Sequence, residues 1–275
     1  MSRRNLHGTT ALITGASSGI GEALAVQLHE RGVRLVLAAR RKERLDKLNA
    51  KLGGGHVVLA CDVSDAAECQ QLVEESFESL GGRLDTLVAN AGYGTTKLSY
   101  EHTPDEVRRM FATNVFGTFD VIHHAVPRML RQERRDGYRG QLMLVSSAAA
   151  RRGMPYFAPY CATKASQLSL AEGLRVELAD QGIAVTSVHP AGTKTEFGRV
   201  AKETGTVSAK SFAGRGGSQT AEQVARAMTL AIEKPRREVW PAFGYRWLLG
   251  LNSVAPGVGD RIMKRLRREV EEETS

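Results

Sequence analysis

Tyr160 and Lys164 stand four positions apart in the stretch YCATK, with only small side chains between them. On a helix, positions i and i+4 share a face, with Cβ atoms roughly 5–6 Å apart. A free phenol titrates near about 10, too high to trade protons readily at neutral pH. An ammonium one turn along favours phenolate and draws that value toward the working range. Taken alone, such a pair is an ordinary feature of helix surfaces, and it signals chemistry only in company. Ser147, at the end of the apolar run QLMLVS and its following serine, precedes Tyr160 by thirteen residues. A hydroxyl that holds a carbonyl oxygen, a phenol that exchanges a proton and a redox nucleotide nearby make a hydride-transfer site.

The nucleotide is expected from TGASSGIG (14–21), where Gly15, Gly19 and Gly21 fall at the turn from a strand into a helix, with Ser17, Ser18 and Ile20 between them. Without Cβ atoms, the turn lets a phosphate approach backbone N–H groups and the positive end of the helix dipole. A strand before and a helix after make a dinucleotide the reading of choice over a plain glycine turn, although three residues separate the first two glycines. The second strand ends in Ala39-Arg40-Arg41, two guanidiniums and no carboxylate. An acid at this point holds a ribose 2′-hydroxyl, whereas arginine suits a 2′-phosphate, so NADP(H) is expected ahead of NAD(H). The plainer reading is that both arginines decorate the start of a solvated helix. Asp62-Val63 and Asn90-Ala91-Gly92 end the next two strands. Asp62 is placed to accept from an adenine amino group, and Asn90 to line the cofactor or tie neighbouring strand ends. Either is equally a turn residue.

These residues need elements to carry them. Apolar, β-rich runs at 9–14, 34–39, 56–61, 84–90, 141–146 and 183–189 alternate with helical patterns at 19–32, 40–52, 65–80, a long segment opening at Thr103-Pro104-Asp105-Glu106, and about 160–180. Near-continuous hydrophobicity marks strands covered on both faces. The alternation predicts right-handed βαβ units and an α/β, doubly wound parallel sheet whose ligands sit at the carboxyl ends of the strands. Thr103 with Glu106, and Thr220 with Gln223, carry the signature of a capping box.

The 275 residues suit one large α/β domain. A net charge of +8 raises nucleic acid as a partner, but the basic clusters at 40–44, 131–139 and 261–273 are interleaved with acids and no base-reading motif accompanies them. No nucleic-acid partner is expected; a solvated basic face or an anionic ligand accounts for the charge. The start of the chain lacks a secretory apolar stretch, and no 18-residue apolar run occurs. Cys61, Cys69 and Cys161 lack metal-ligand spacing, so free thiols in a reducing cytoplasm, and no metal, are expected.

Together the motifs resemble the short-chain dehydrogenase/reductase family in its compact, single-domain branch, over residues 9 to about 235. They occur in that family's order: TGASSGIG (14–21), DV (62–63), NAG (90–92), the asparagine of FATNVFG at 114, VSS (145–147), YCATK (160–164) and HPAGTKTEF (189–197). The resemblance implies a Rossmann fold and NADP(H)-dependent reduction of a carbonyl or oxidation of a secondary alcohol. It implies Tyr160 as general acid/base and Lys164 as the residue that lowers its pKa and bonds the nicotinamide ribose. Ser147, rather than Ser146, would polarise the substrate oxygen, and Asn114 would complete a tetrad with Ser147, Tyr160 and Lys164 by holding a water that links the lysine to solvent. Pro190, Thr193 and Thr195 match positions binding the nicotinamide carboxamide. Where the family has glycine after that proline, this chain has Ala191 followed by Gly192. A backbone requiring positive φ there would strain Ala191. Homodimers or homotetramers through the helices near 104–132 and 160–180 are implied as well.

Residues 193–220 lie where the family places a substrate lid, long and rich in Gly, Ser and charge, with Phe197 among few apolar residues; an apolar ketone is the expected substrate. Residues 236–275 form a C-terminal extension carrying Trp240, Trp247, Leu248, Leu249 and Leu251, then a basic helix from about Gly259. It reads either as a patch lying on a bilayer or as a cap on the cleft or a subunit interface. The acidic EVEEE ending favours the second. Two rivals share the fold: a non-catalytic NADP sensor or scaffold, which would be expected to lack the tyrosine or lysine, and an epimerase or dehydratase that retains its cofactor.

Overall fold

A computed structural model of the chain describes residues 3–203, 205, 219–242, 244, 246–247, 249–250 and 255–274. The chain alternates β1 (Thr10–Thr14), α1 (Gly19–His29), β2 (Arg34–Ala39), α2 (Lys42–Lys51), β3 (Val57–Ala60), α3 (Ala66–Ser79) and β4 (Thr86–Ala89). It continues through α4 (Pro104–Phe111), a π turn (Ala112–Phe116), α5 (Gly117–Met129), β5 (Gly140–Val145), α6 (Ala158–Glu177) and β6 (Ile183–Val188). Then come β7 (Thr193–Lys194), α7 (Glu196–Glu203), β8 (Gln219–Thr220), a helix at Ala221–Glu233, β9 (Glu238–Val239) and a last helix at Pro256–Thr274. Seven strands form one sheet in the order β3-β2-β1-β4-β5-β6-β9, each pair parallel. The doubly wound α/β expectation holds. Order runs outward in opposite directions from β1 and β4, so their carboxyl ends flank the switch point where such folds bind ligands.

Side-chain alternation divides the core into two layers. Ile13, Leu35, Leu37, Val88 and Met143 face α1, α2 and the helix Ala221–Glu233, while Leu12, Val36, Leu87, Leu142 and Leu144 face α3, α5 and α6. Both expected capping boxes form, at Thr103 with Glu106 and at Thr220 with Gln223. The long segment after Thr103 is not one regular helix: the π turn interrupts it between α4 and α5. There the glycine at 117 faces Val63, whose carbonyl oxygen occupies the space a Cβ would need.

Three short strands were not expected. β9 supplies only two residues, paired with Ser187 and Val188, and β7 pairs with β8 in a two-stranded sheet. Runs this short carry no periodicity. Residues 204 and 206–218 of the expected lid, and Leu248 and Leu251, lie outside the described residues. Trp240 stacks on buried His189 at 4.3 Å between ring centroids, so it packs against protein. The last helix starts at Pro256, a little before the expected position, and lays Val270 fully buried among Ala149, Tyr156, Phe157 and Cys161. Among the described residues no helix is long and apolar enough to cross a membrane, and no His/Cys/Asp/Glu group could hold a metal ion.

Candidate active site

Two serines end β5, and their surroundings separate them. Ser146 donates its hydroxyl to the Lys164 carbonyl at 2.7 Å, tying the strand to α6. Ser147, in extended backbone, accepts from the Ala149 N–H at 3.1 Å, donates weakly to the Pro190 carbonyl at 3.5 Å and lies near enough to the Tyr160 phenol to favour its ionised form. Ser147 is therefore the serine that faces the tyrosine. Tyr160, half-buried on the first turn of α6, packs its ring against Phe197 at 5.2 Å and against Gly94, where a Cβ would lie 2.8 Å from the ring.

Lys164 lies one turn along the same face, 4% exposed, with its amine 5.7 Å from the Tyr160 ring centroid. The amine donates to the Val145 carbonyl at 2.9 Å and to Gln167 Oε1 at 2.8 Å. Burial with neutral partners draws the lysine down to about 7. Burial likewise pushes the phenol up, against the opposing bond from Ser147. The expected lowering of the phenol is thus not met by the chain alone. Lysine and phenol are both withdrawn from water, and each favours its neutral form.

Asn114 sits in the π turn, fully buried. Its Oδ1 accepts from the Tyr93 N–H at 3.0 Å, and its Nδ2 donates to the Tyr93 carbonyl at 2.9 Å and to Thr163 Oγ1 at 3.0 Å. Thr163 in turn donates to the Tyr160 carbonyl at 2.7 Å. Gln167 Nε2 donates to Thr118 Oγ1 at 2.8 Å, and Thr118 donates to the Asn114 carbonyl at 2.8 Å. The expected tetrad therefore rests on Thr118, Thr163 and Gln167, none of which sequence reading singled out. Beside it, a Cβ on Gly92 would lie 3.0 Å from Asn114 Oδ1 and 3.3 Å from Lys164 Nζ.

The glycine turn is built for close approach. Gly15 and Gly19 adopt φ of 66° and 60°. A Cβ on Gly15 would meet Ala91 Cα at 2.9 Å, one on Gly19 would meet Thr195 at 3.2 Å, and one on Gly21 would run into the Gly15 carbonyl oxygen. Ile20 anchors the turn by packing on the core. Asn90 serves the strand tie: its Nδ2 donates to the Thr14 carbonyl at 2.9 Å and the Gly15 carbonyl at 3.3 Å. Asp62 closes a turn by accepting from the Ser64 N–H at 3.0 Å and hydroxyl at 2.8 Å. The Arg40 guanidinium lies 3.7 Å from Asp62. Despite partial burial, the Ser64 bonds and Arg40 hold that carboxyl below its ordinary range. Arg41, not Arg40, reaches the glycine turn, donating to Ser17 Oγ at 3.2 Å and Ser18 Oγ at 3.0 Å.

Beyond Pro190, positive φ falls on Gly192 at 52° and not on Ala191, so the departure at 191 carries no strain. Thr193 keeps its hydroxyl oxygen buried without a partner among the described residues. That orphaned oxygen and the glycine cradle are the two features that fit a nicotinamide dinucleotide, which Gly15–Gly21 and Thr193 would hold.

Comparison with known proteins agrees with this arrangement. The family model described as short chain dehydrogenase matches residues 9–205. An uncharacterized oxidoreductase of Myxococcus xanthus is 36% identical over 190 residues, covering 68% of this chain and 73% of that protein. An alcohol dehydrogenase from the archaeon Thermococcus sibiricus, solved with 5-hydroxy-NADP, superposes with a TM-score of 0.72 at 28% identity, covering 84% of this chain and 94% of that one. A 3-ketoacyl-(acyl-carrier-protein) reductase from Brucella melitensis, solved with NADH, gives 0.73 at 27% identity over 83% of this chain and 92% of that one. By sequence, topology and the ordered motifs, the chain belongs to the short-chain dehydrogenase family of oxidoreductases.

Proposed function

We propose that the protein is an NADP(H)-dependent oxidoreductase that transfers a hydride between nicotinamide and a carbonyl or secondary alcohol, with Tyr160 as general acid/base. The observation that carries this reading is the convergence of the Ser147 hydroxyl and the Tyr160 phenol above a buried Lys164 amine. Bound at the cradle, the nucleotide supplies or accepts the hydride. Ser147 and Tyr160 hold the substrate oxygen by two hydrogen bonds that strengthen as charge builds on it. Burial keeps the phenol protonated at neutral pH, the form that donates in reduction.

Once that proton leaves, the phenolate and the lysine attract one another. At about 6 Å and an effective dielectric of about 20, the attraction is about 3 kcal/mol, or about two pKa units. Lys164, near half-protonated at neutrality, is then drawn to its charged form. Its proton would come through a water held by Asn114, whose Oδ1 closes on the same face of Gly92 as Lys164 Nζ. Arg41 on the glycine turn supports NADP(H) over NAD(H).

An apolar wall of Leu98, Met154, Phe157, Phe197 and Val270 supports an apolar ketone as substrate. Phe116 and Phe119, 59% and 48% exposed at the π turn and α5, and Val176, 79% exposed on α6, support assembly through those helices as a homodimer or homotetramer. A reducing cytoplasmic setting fits the three free cysteines.

The test is NADPH oxidation across a panel of ketones and aldehydes, for the wild type and Tyr160→Phe. Turnover should fall about 100- to 10,000-fold in the variant while NADPH binding persists. Binding without turnover across the whole panel would leave a nucleotide sensor in its place.

A further inference from the structure

Glu196 opens α7, and both of its carboxylate oxygens are taken. Oε2 lies 2.9 Å from Arg41 Nη1, and Oε1 lies 2.7 Å from Arg44 Nη1. Arg41 spends its other terminal nitrogen on Ser17 and Ser18. The guanidinium that touches the phosphate turn is therefore already holding an anion, and that anion belongs to the chain itself. The pairing is tight: the bonds from Arg44 and then Arg41 hold the Glu196 carboxyl down to about 2. An isolated surface pair contributes little, but here one carboxylate spans two guanidiniums, and one of those also clasps the turn. Its chain neighbours face the rest of the site. Thr195 lies against Gly19, and Phe197 packs tilted against the Tyr160 ring and reaches Gly94.

We propose that Glu196 is a carboxylate latch that competes with the 2′-phosphate of NADP(H) for Arg41 and Arg44, so that phosphate binding releases the start of α7 and, through Phe197, the wall beside Tyr160. This rests on the NADP(H) reading above. A phosphate ester carries a larger negative charge than a carboxylate and offers more acceptor oxygens to the same guanidinium fork. With the phosphate bound, Glu196 becomes a like charge beside it. NADH, lacking that phosphate, leaves the latch closed. Cofactor identity is thereby communicated to the substrate cleft by one residue, and the latch sets a cost on NADPH binding that NADH does not meet.

Two measurements on the full chain test this. In fluorescence titrations, Glu196→Gln should bind NADPH about threefold to tenfold more tightly than wild type and NADH about equally. Unchanged or weaker NADPH binding would overturn the latch. In hydrogen exchange followed by mass spectrometry, 2′-AMP should speed exchange of amides 196–203 in the wild type, whereas 5′-AMP should not. In Glu196→Gln those amides should exchange fast from the start. Protection of the segment by 2′-AMP would mean that Glu196 closes over the nucleotide, and would also overturn it. Arg41→Ala separates the two ideas: loss of NADPH affinity alone upholds the phosphate site whatever Glu196 does, while equal loss of NADPH and NADH removes the phosphate reading itself.

Discussion

Asn114 Oδ1 and Lys164 Nζ both close on Gly92, where a Cβ would lie 3.0 and 3.3 Å from them. A methyl group there would press on both side chains inside ordinary contact without meeting backbone, so each must give by a few tenths of an ångström. Gly92→Ala should therefore leave the thermal midpoint within a few degrees and lower kcat about tenfold or more, with KM little changed. A variant with wild-type kcat would take the relay away from the Asn114 and Lys164 pair. The serine pair makes the same point about single residues. Ser146 and Ser147 are chemically identical, yet one hydroxyl is committed to α6 and the other lies beside the phenol.

At the scale of elements, the β1–α1 corner closes because three side chains are absent. Gly21 faces the Gly15 carbonyl oxygen, and a Cβ there would also come within 2.7 Å of Asn90 Nδ2, the group that ties β4 to β1. These neighbours are backbone and a committed amide, so they cannot yield cheaply. Gly21→Ala should cost about 2 kcal/mol or more in urea unfolding and weaken NADPH at least tenfold in titration. Stability equal to wild type would mean the corner is looser than it is drawn. The π turn is the second element-scale device. Its extra residue lets Asn114 reach Tyr93 and Thr163 at once while Gly117 passes close under Val63.

For the whole molecule, burying Lys164 is a cost that depends on pH. Folded, the amine titrates near about 7; its ordinary value is 10.5. Between those values the unfolded chain binds a proton that the folded chain does not, so stability rises with pH across that window. The cost is fully present below about pH 7 and gone above about 10.5. Tyr160 acts in the opposite sense only above its ordinary 10.0, where the unfolded phenol ionises and the folded one resists. Lys164→Met should consequently raise the melting temperature, most at pH 6 and progressively less toward pH 10, while removing activity. A gain that is flat with pH would show that the amine is not held neutral by burial.

Sequence alone determined the doubly wound sheet, because six near-continuous apolar runs alternating with helical periods can bury themselves in few other ways. It also determined where the glycine turn, Ser147, Tyr160 and Lys164 lie along the chain, since their spacing is local to a turn, a strand end and one helical face. Tertiary structure decided which of two arginines meets that turn, that Asn90 and Asp62 serve turns and strand ties, and that positive φ falls on Gly192 rather than Ala191. It decided too that Thr118, Thr163 and Gln167 support the tetrad and that Glu196 answers Arg41 from 155 residues away. Those contacts bring together segments distant in sequence, and burial on folding pushes the phenol up where the pair by itself predicts lowering, and draws the amine down. Local patterns encode elements; desolvation and long-range pairing exist only once the elements have packed.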